Sequence, residues 1–383
     1  MSLDPEPEAT TRILFIANGH GEDSIAAAIA ARLPDTMLAH AYPVVGAGSA
    51  YDGICEIVGP RTHIPSEGWR HTSGSVMRDV KGGMLSGILP AIRFLHSLKG
   101  RYDKIVTVGD AVTPLLCLLA GLRIDIYLDV FKSGYAHHYS FVERWLIRKI
   151  AKKVYCRDDM LASALRASGV NAFSAGNIML DTIPCGKFEV AKKRKRACAI
   201  TLLPGSRVWT GQSLKLQVEA LRHLPEAMRP DVFVAVAGGV NIDDLAQETG
   251  LIHKTSRSRN PADLGQLVGD GLTLHLATGV VGNLIEASDL VLSQAGTATQ
   301  QALGMGKPVI TFNRADNRPK RMADEQALMG EARILTKPDA KEISEAIIFL
   351  LSKRQERLRL GEIGRERLGG PGTMDAVIAD LVG

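Results

Sequence analysis

The chain is 383 residues long, too long for one ordinary domain and enough for two, each with a sizeable core of its own. Apolar residues make up 45% and aromatic residues 5%, which describes an aliphatic globular protein and excludes a disordered one. With 46 Lys and Arg against 41 Asp and Glu, the net charge is only +5, too small to announce a nucleic-acid partner, and no nucleic-acid module is recognisable.

Residues 1–11 are acidic, contain Pro and lack the apolar stretch of a signal peptide, so they read as a disordered lead-in. An apolar run over 12–18 then reads as a buried parallel strand. Asp23 is placed to cap an Ala-rich helix over 24–33. Strands follow at 37–42, 104–108, 124–128 and 153–156. Helices fall at 84–98 (with Pro90 inside), 112–120, 141–151 and 158–167. Alternation of this kind predicts a doubly wound α/β domain over 12–180.

Residues 181–196, with Pro184, Gly186 and the basic run Lys192 to Arg196, read as a linker. A second series starts at 197. It has strands at 197–203, 232–237, 272–276, 290–293 and 308–312, and helices at 211–224, 282–287, 297–305, 319–329 and 339–351. This predicts a second Rossmann-like domain over 197–352, facing the first across a cleft. Helices at 354–368 and 373–381 follow in the terminal segment 353–383, and the last is expected to pack back on the first domain.

The five cysteines are scattered and form no CxxC pair, which predicts buried free thiols in a reducing compartment rather than a zinc site. The longest apolar stretch, 84–98, contains Pro90 and Arg93 and falls short of the about 20 apolar residues a membrane span needs. The expected location is the cytoplasm.

In open α/β sheets ligands bind beyond the carboxyl ends of the strands, and the unusual segments fall at those junctions. The segment Thr201-Leu-Leu-Pro-Gly-Ser-Arg207 ends a strand and opens a helix. Gly205 frees backbone N–H groups, Ser206 adds a hydroxyl, and Arg207 supplies a planar cation that can fork onto phosphate oxygens beside a helix N-terminus. In Ser293-Gln-Ala-Gly-Thr-Ala-Thr-Gln-Gln-Ala302, the small residues Gly296, Thr297, Ala298 and Thr299 let a diphosphate approach closely. Gln301, one turn on, is within reach of ribose hydroxyls. Each segment also reads as an ordinary turn and a capped helix.

Together Leu-Leu-Pro-Gly-Ser-Arg and Ala-Gly-Thr-Ala-Thr-Gln-Gln-Ala-Leu-Gly-Met-Gly-Lys-Pro-Val resemble the lipid-A-disaccharide synthase family in order, spacing and context, most clearly over 197–312. The resemblance implies a GT-B fold and inverting transfer from a UDP-sugar to a lipid-linked acceptor. It implies no catalytic metal and no cofactor beyond the UDP-sugar co-substrate. That family carries Glu where this chain has Gln301. The loop Ala17-Asn-Gly-His-Gly-Glu-Asp-Ser24 also departs from it, which is similar to a divergent, synthase-related branch.

Gly19 and Gly21 free the backbone of that loop, and His20, Glu22 and Asp23 form a dense titratable set at a strand end. His20 reads as a base or as a donor on the phosphate side, and Asp23 as an N-cap or a catalyst. By resemblance, Asp110 in Thr107-Val-Gly-Asp-Ala111 inherits the role of base, and it also reads as the cap of the following helix. Asp125 and Asp129 bracket a strand at a spacing that fits no metal-ligand set, so they read as solvent-facing or capping carboxylates.

In the segment 142–153, Val142, Trp145, Leu146 and Ile150 fall near one helical face and basic residues take most of the rest. That pattern suits a helix on a sheet and is equally compatible with contact on the inner face of the cytoplasmic membrane. Two other functions fit the same sequence: a UDP-sugar epimerase of the same fold, and a nucleotide-sugar-binding protein without catalysis.

Overall fold

The computed structural model describes residues 11–61, 84–206, 209–314 and 319–383. The chain divides into two compact units. Unit 1 takes residues 1–182, 318–324 and 371–383; unit 2 takes 183–317 and 325–370.

Unit 1 runs β1 (Thr11–Ala17), α1 (His20–Ala30), β2 (Met37–Pro43), β3 (Glu56–Ile57), α2 (Met84–Ser97), β4 (Lys104–Gly109), α3 (Val112–Ala120), β5 (Ile124–Asp129), α4 (Phe141–Ile150), β6 (Ala151–Tyr155), α5 (Asp159–Arg166), β7 (Ala172–Phe173) and α6 (Ile178–Asp181). Its sheet is parallel throughout, in the order β3-β2-β1-β4-β5-β6-β7. Every residue from Ile13 to Ala17 is fully buried. Helices cover both faces, so the strand reads as a continuous apolar run instead of an alternating one. Leu14 and Ile16 pack on one side with Leu95, Cys117 and Ile147; Ile13 and Phe15 pack on the other with Ile29 and Val377.

Unit 2 runs β8 (Ala199–Leu203), α7 (Thr210–Arg222), β9 (Asp231–Ala235), α8 (Ile242–Thr249), β10 (Ile252–Lys254), β11 (Asp263–Gly269), β12 (Leu272–Ala277), α9 (Val281–Glu286), β13 (Leu290–Ser293), α10 (Thr297–Gly304), β14 (Val309–Phe312), α11 (Pro319–Met329, which the unit boundary crosses), β15 (Arg333–Thr336), α12 (Ala340–Ser352) and α13 (Arg354–Leu368). The sheet order is β10-β11-β12-β9-β8-β13-β14-β15; β10, β11 and β12 pair antiparallel and the rest pair parallel.

A last helix, α14 (Thr373–Val382), belongs to unit 1 and buries Met374, Val377 and Leu381 in its core. Asp181 accepts the N–H groups of Gly372 (2.7 Å) and Met374 (3.0 Å) at the start of α14, and Lys104 donates to the carbonyls of Asp380 and Leu381 at its end. Both ends of the helix therefore have partners for their orphan backbone groups.

Several elements differ from the sequence expectation. The first helix begins at His20, four residues early, so Asp23 is not its cap: Gly19 holds that position and Asp23 lies buried inside. Helix α8 and strands β10, β11 and β15 carry too few apolar residues in register to be read from sequence. The basic run is docked on unit 2: Lys193 pairs with Asp263, Arg194 with Asp289, and Asp231 accepts the N–H groups of Lys195 and Arg196. Of the five free thiols only Cys117 and Cys156 are buried; Cys55 and Cys198 are half-buried and Cys185 is exposed, which corrects the expectation for those three. No helix among the described residues is long and apolar enough to cross a membrane.

Candidate functional site

Each sheet reverses its strand order once around its first strand, and the candidate residues fall there. In unit 1 the reversal lies between β1 and β4, in unit 2 between β8 and β13. At such a switch point the loops leaving neighbouring strands run to opposite faces and open a crevice at the strand ends.

In unit 1, Asn18 follows β1 and Asp110 follows β4. Asn18 Nδ2 donates to Asp110 Oδ1 at 2.7 Å, and the Val112 N–H donates to the same oxygen at 2.9 Å. Asp110 thus serves the first turn of α3 and is tied across the switch point at once. The turn depends on Gly109, whose φ is +139°; a Cβ there would stand 1.9 Å from Asn18 Oδ1. That oxygen is buried without a hydrogen bond. Asn18 was not among the sequence candidates, although its place at a strand end was a usable signal.

Helix α1 adds three titratable groups. Glu22 folds back over Gly19, where a Cβ would lie 2.5 Å from its Oε2. Burial first, and then the Asp110 charge, raise the Glu22 carboxyl above its ordinary value; its own backbone N–H and His20 work the other way. His20 is exposed and packs on Gly46, with its Cε1 3.1 Å from where a Cβ would be. Gly21 is exposed and leaves open space beside the helix. Asp23 is 1% exposed, takes a bond from the Tyr51 hydroxyl at 3.1 Å, and leaves Oδ2 without a partner. Burial pushes its carboxyl up to about 7, with the Glu22 charge adding to the rise and the Tyr51 bond opposing it. Its contact with the core side of the unit makes Asp23 a buried acid rather than a group facing ligand.

A second buried network runs behind this loop. Of the two readings for Asp129, at the end of β5, solvent-facing is corrected, since it is 2% exposed, and capping fits the backbone N–H groups it accepts. Its Oδ1 accepts the N–H groups of Phe131 and Lys132, both at 2.9 Å, and its Oδ2 accepts the Tyr139 hydroxyl at 2.6 Å. The Tyr127 hydroxyl lies 3.1 Å from the Tyr139 oxygen and 3.2 Å from the carbonyl of Gly109, the residue before Asp110, and its single proton serves one of the two at a time. Burial raises the Asp129 carboxyl; the Tyr139 bond and the Arg157 charge are among the opposing effects. Asp125, in contrast, accepts the Ile105 N–H and pairs with Lys152 at the sheet.

In unit 2 the two motifs meet. Leu203 of β8 pairs with Ser293 of β13, and the Gln294 N–H donates to the Leu203 carbonyl at 2.8 Å. Gly205, at φ +104°, turns the first loop so that a Cβ would lie 3.6 Å from the Gln294 carbonyl oxygen. Ser206, Gly296 and Thr297 are exposed at these strand ends, and Ala298 is half-buried. Arg207 lies outside the described residues. Two expectations are corrected. The Thr299 hydroxyl is engaged within its own loop, by Ser293 Oγ at 2.6 Å and the Ala295 carbonyl. Gln301 is buried, its side chain on the covered side of α10. Helical periodicity explains the first: Thr299 lies two positions after Thr297, on the opposite face of the helix, whereas Gln301 shares the face of Thr297 and is covered one turn deeper. Trp209, next to the first loop, is exposed and carries the Arg314 guanidinium 5.5 Å over its ring. Among the described residues no group of three His, Cys, Asp or Glu is placed to hold a metal ion.

Two α/β units, each with a largely parallel sheet and unusual loops at its switch point, define the GT-B fold. Residues 199–367 match the family model described as "Glycosyl transferases group 1". No curated protein matches the chain. Among solved structures, a UDP-glucosyltransferase from Polygonum tinctorium is similar at a TM-score of 0.57 and 11% identity, covering 97% of this chain and 98% of that one. An S. aureus MnaA–UDP co-structure is similar at 0.56 and 16% identity, covering 97% and 96%. A UDP-N-acetylglucosamine 2-epimerase is similar at 0.56 and 13% identity, covering 96% and 95%. The fold is shared by glycosyltransferases and epimerases alike.

Proposed function

We propose that the chain is an inverting, metal-independent glycosyltransferase that moves a sugar from a UDP-sugar to a lipid or lipid-linked acceptor, as a lipid-A-disaccharide synthase does. The observation that carries this reading is the meeting of the Gly205–Ser206 and Gly296–Thr297 loops on adjacent strands β8 and β13. Ser206, Gly296 and Thr297 are exposed there at the start of α10, which suits the diphosphate of a nucleotide.

In this reading unit 2 binds UDP and unit 1 supplies the base. The Asp110 carboxylate takes the proton of the acceptor hydroxyl as its oxygen bonds to the anomeric carbon. The bond from that carbon to the β-phosphate oxygen breaks, and UDP leaves with the electron pair. Both bonds to the Asp110 side chain fall on Oδ1, which leaves Oδ2 for the acceptor. Arg207 and the α10 N-terminus stabilise the charge that accumulates on the diphosphate. His20 is the alternative base, at the exposed start of α1.

Calorimetric titration with UDP, using GDP and ADP as controls, tests the donor site. Selective UDP binding that weakens at least about tenfold in Arg207→Ala supports it, the loss expected of one charge-assisted phosphate contact. Absence of nucleotide binding defeats it. With UDP-sugars and lipid acceptors, Asp110→Asn is expected to lose turnover and keep UDP affinity. Conversion of a UDP-sugar to its epimer without acceptor would establish the epimerase reading instead.

A further inference from the structure

We infer that a cavity at the β10–β11 edge of the unit 2 sheet binds a small, polar, phosphate-bearing molecule between Lys254 and Arg257. The site lies outside the nucleotide loops, and the inference stands apart from the function proposed above.

Strand β10 ends, and the turn toward β11 begins, with Lys254-Thr-Ser-Arg-Ser-Arg-Asn260, which holds three cations and no acid. The fold brings this segment beside the basic run, where Lys193 Nζ lies 2.8 Å from Asp263 at the start of β11. Here a cavity of about 560 Å³ is lined by Lys193, His253, Lys254, Thr255, Arg257 and Asp263, among others. Its size is that of a small-molecule site. No apolar side chain lines it, so it suits neither an acyl chain nor a stacked base. In the sheet order β12 and β9 separate β11 from β8. That places the cavity three strand steps, or about 14 Å, from the first nucleotide loop.

The loop is held by its own bonds. Gly265, at φ +93°, lets residues 254–256 lie against β11: a Cβ there would stand 2.2 Å from the Lys254 carbonyl oxygen and 2.8 Å from the Ser256 nitrogen. Beyond it, Ser256 Oγ accepts the Ser258 N–H, Ser258 Oγ accepts the Asn260 N–H, and Asn260 Oδ1 accepts the Ala262 N–H. Asn260 Nδ2 also donates to the Lys187 carbonyl. A loop tied in this way loses little further freedom when a ligand binds.

Charge identifies the ligand. The lining has three Lys or Arg residues and one carboxylate. That carboxylate is committed: burial works against it, yet Lys193 and the Gly265 N–H hold Asp263 below its ordinary value. Lys254 and Arg257 are exposed and, among the described residues, make no ion pair. The cationic field reaches the neighbouring strand. Burial first, and then the Lys193 charge, lower the His275 imidazole, although Asp231 and Asp263 oppose them. Two uncompensated cations three residues apart on one fixed loop favour a ligand with at least two negative charges. A guanidinium forks onto two oxygens of a phosphate and an ammonium takes a third, whereas a carboxylate offers only two oxygens and one charge.

Calorimetric titration of the full chain with pyrophosphate tests this, with excess UDP present to fill the donor loops and in parallel on Arg207→Ala. Binding is expected in both cases. Arg257→Ala and Lys254→Ala are each expected to weaken it about tenfold or more, the loss of one hydrogen bond between charged groups. Arg259→Ala removes the same charge from the same loop but outside the cavity, and is expected to leave the affinity nearly unchanged. All three residues are exposed, so the thermal midpoint should stay at the wild-type level. The inference is overturned if UDP-saturated chain takes up no pyrophosphate, or if all three variants lose affinity equally, the mark of diffuse attraction. Citrate binding as tightly as pyrophosphate would overturn the choice of phosphate. Pyrophosphate binding by a chain that fails to bind UDP would leave this inference standing and defeat the function proposed above; binding of UDP alone would do the reverse.

Discussion

Asp23 is an acid held in a place built for its neutral form, and replacing it with Asn turns that into a measurable quantity. The carboxyl is pushed from 3.8 to about 7 in the folded chain, chiefly by burial. A folded pKa above the unfolded one means the folded state binds the extra proton. The cost to stability is therefore absent below about pH 4, grows as pH rises toward 7, and is constant above it. Over the whole range it amounts to about 4 kcal/mol, of which roughly 2.5 kcal/mol accrues between pH 5 and pH 8. Asn keeps the oxygen that accepts from Tyr51 and carries no charge at any pH. It does place an amide where Oδ2 has no partner, a penalty of about 1–3 kcal/mol that does not vary with pH. Urea unfolding of Asp23→Asn and wild type at pH 5, 6, 7 and 8 reads the difference. The expected outcome is a variant that gains on wild type as pH rises, by roughly 2.5 kcal/mol across the series. Glu22 is shifted in the same direction but is present in both chains, so its own titration largely cancels. Unfolding midpoints that run parallel at all four pH values would refute the assignment of Asp23 as a buried, proton-binding acid.

Two further predictions concern the supports of unit 1. Tyr139→Phe removes the 2.6 Å donor from buried Asp129, and a loss of about 1–3 kcal/mol is expected in urea unfolding. The loss should shrink as pH falls and Asp129, whose carboxyl is already raised, takes up its proton. Ending the chain after Gly370 removes Met374, Val377 and Leu381 from the core of unit 1. At about 1.5–3 kcal/mol each, their loss is expected to cost 4 kcal/mol or more, seen as a lowered thermal midpoint.

Much of the candidate site was legible because its residues sit where apolar strands stop. The Thr201–Ser206 and Ser293–Thr297 segments announce themselves by small and polar residues after four or five buried ones. Asp110 stands out after β4 for the same reason. What failed was rotation and reach. Thr299 looks like a ligand contact in a string, but helix α10 turns it to the face opposite Thr297, and Gln301, on the face of Thr297, is covered one turn deeper. Asp23 looks like a cap because Gly19 and Gly21 disguise a helix that has already begun. Asp129, Tyr139 and Tyr127 form one network only because β5 and the segment after it fold over the end of β4, a contact with no periodic signature.

By itself the amino-acid sequence determined the class of fold, the number of units and the strand-end loops, because these follow from local apolar runs and turn chemistry. Tertiary structure alone decided which side chains face out of those loops, and that Asn18 reaches Asp110. It also decided that α3 is apolar on its exposed side as well as its buried one. Orientation and long-range pairing depend on how elements pack, and hydrophobic periodicity records the presence of a core without recording what lies on its other side.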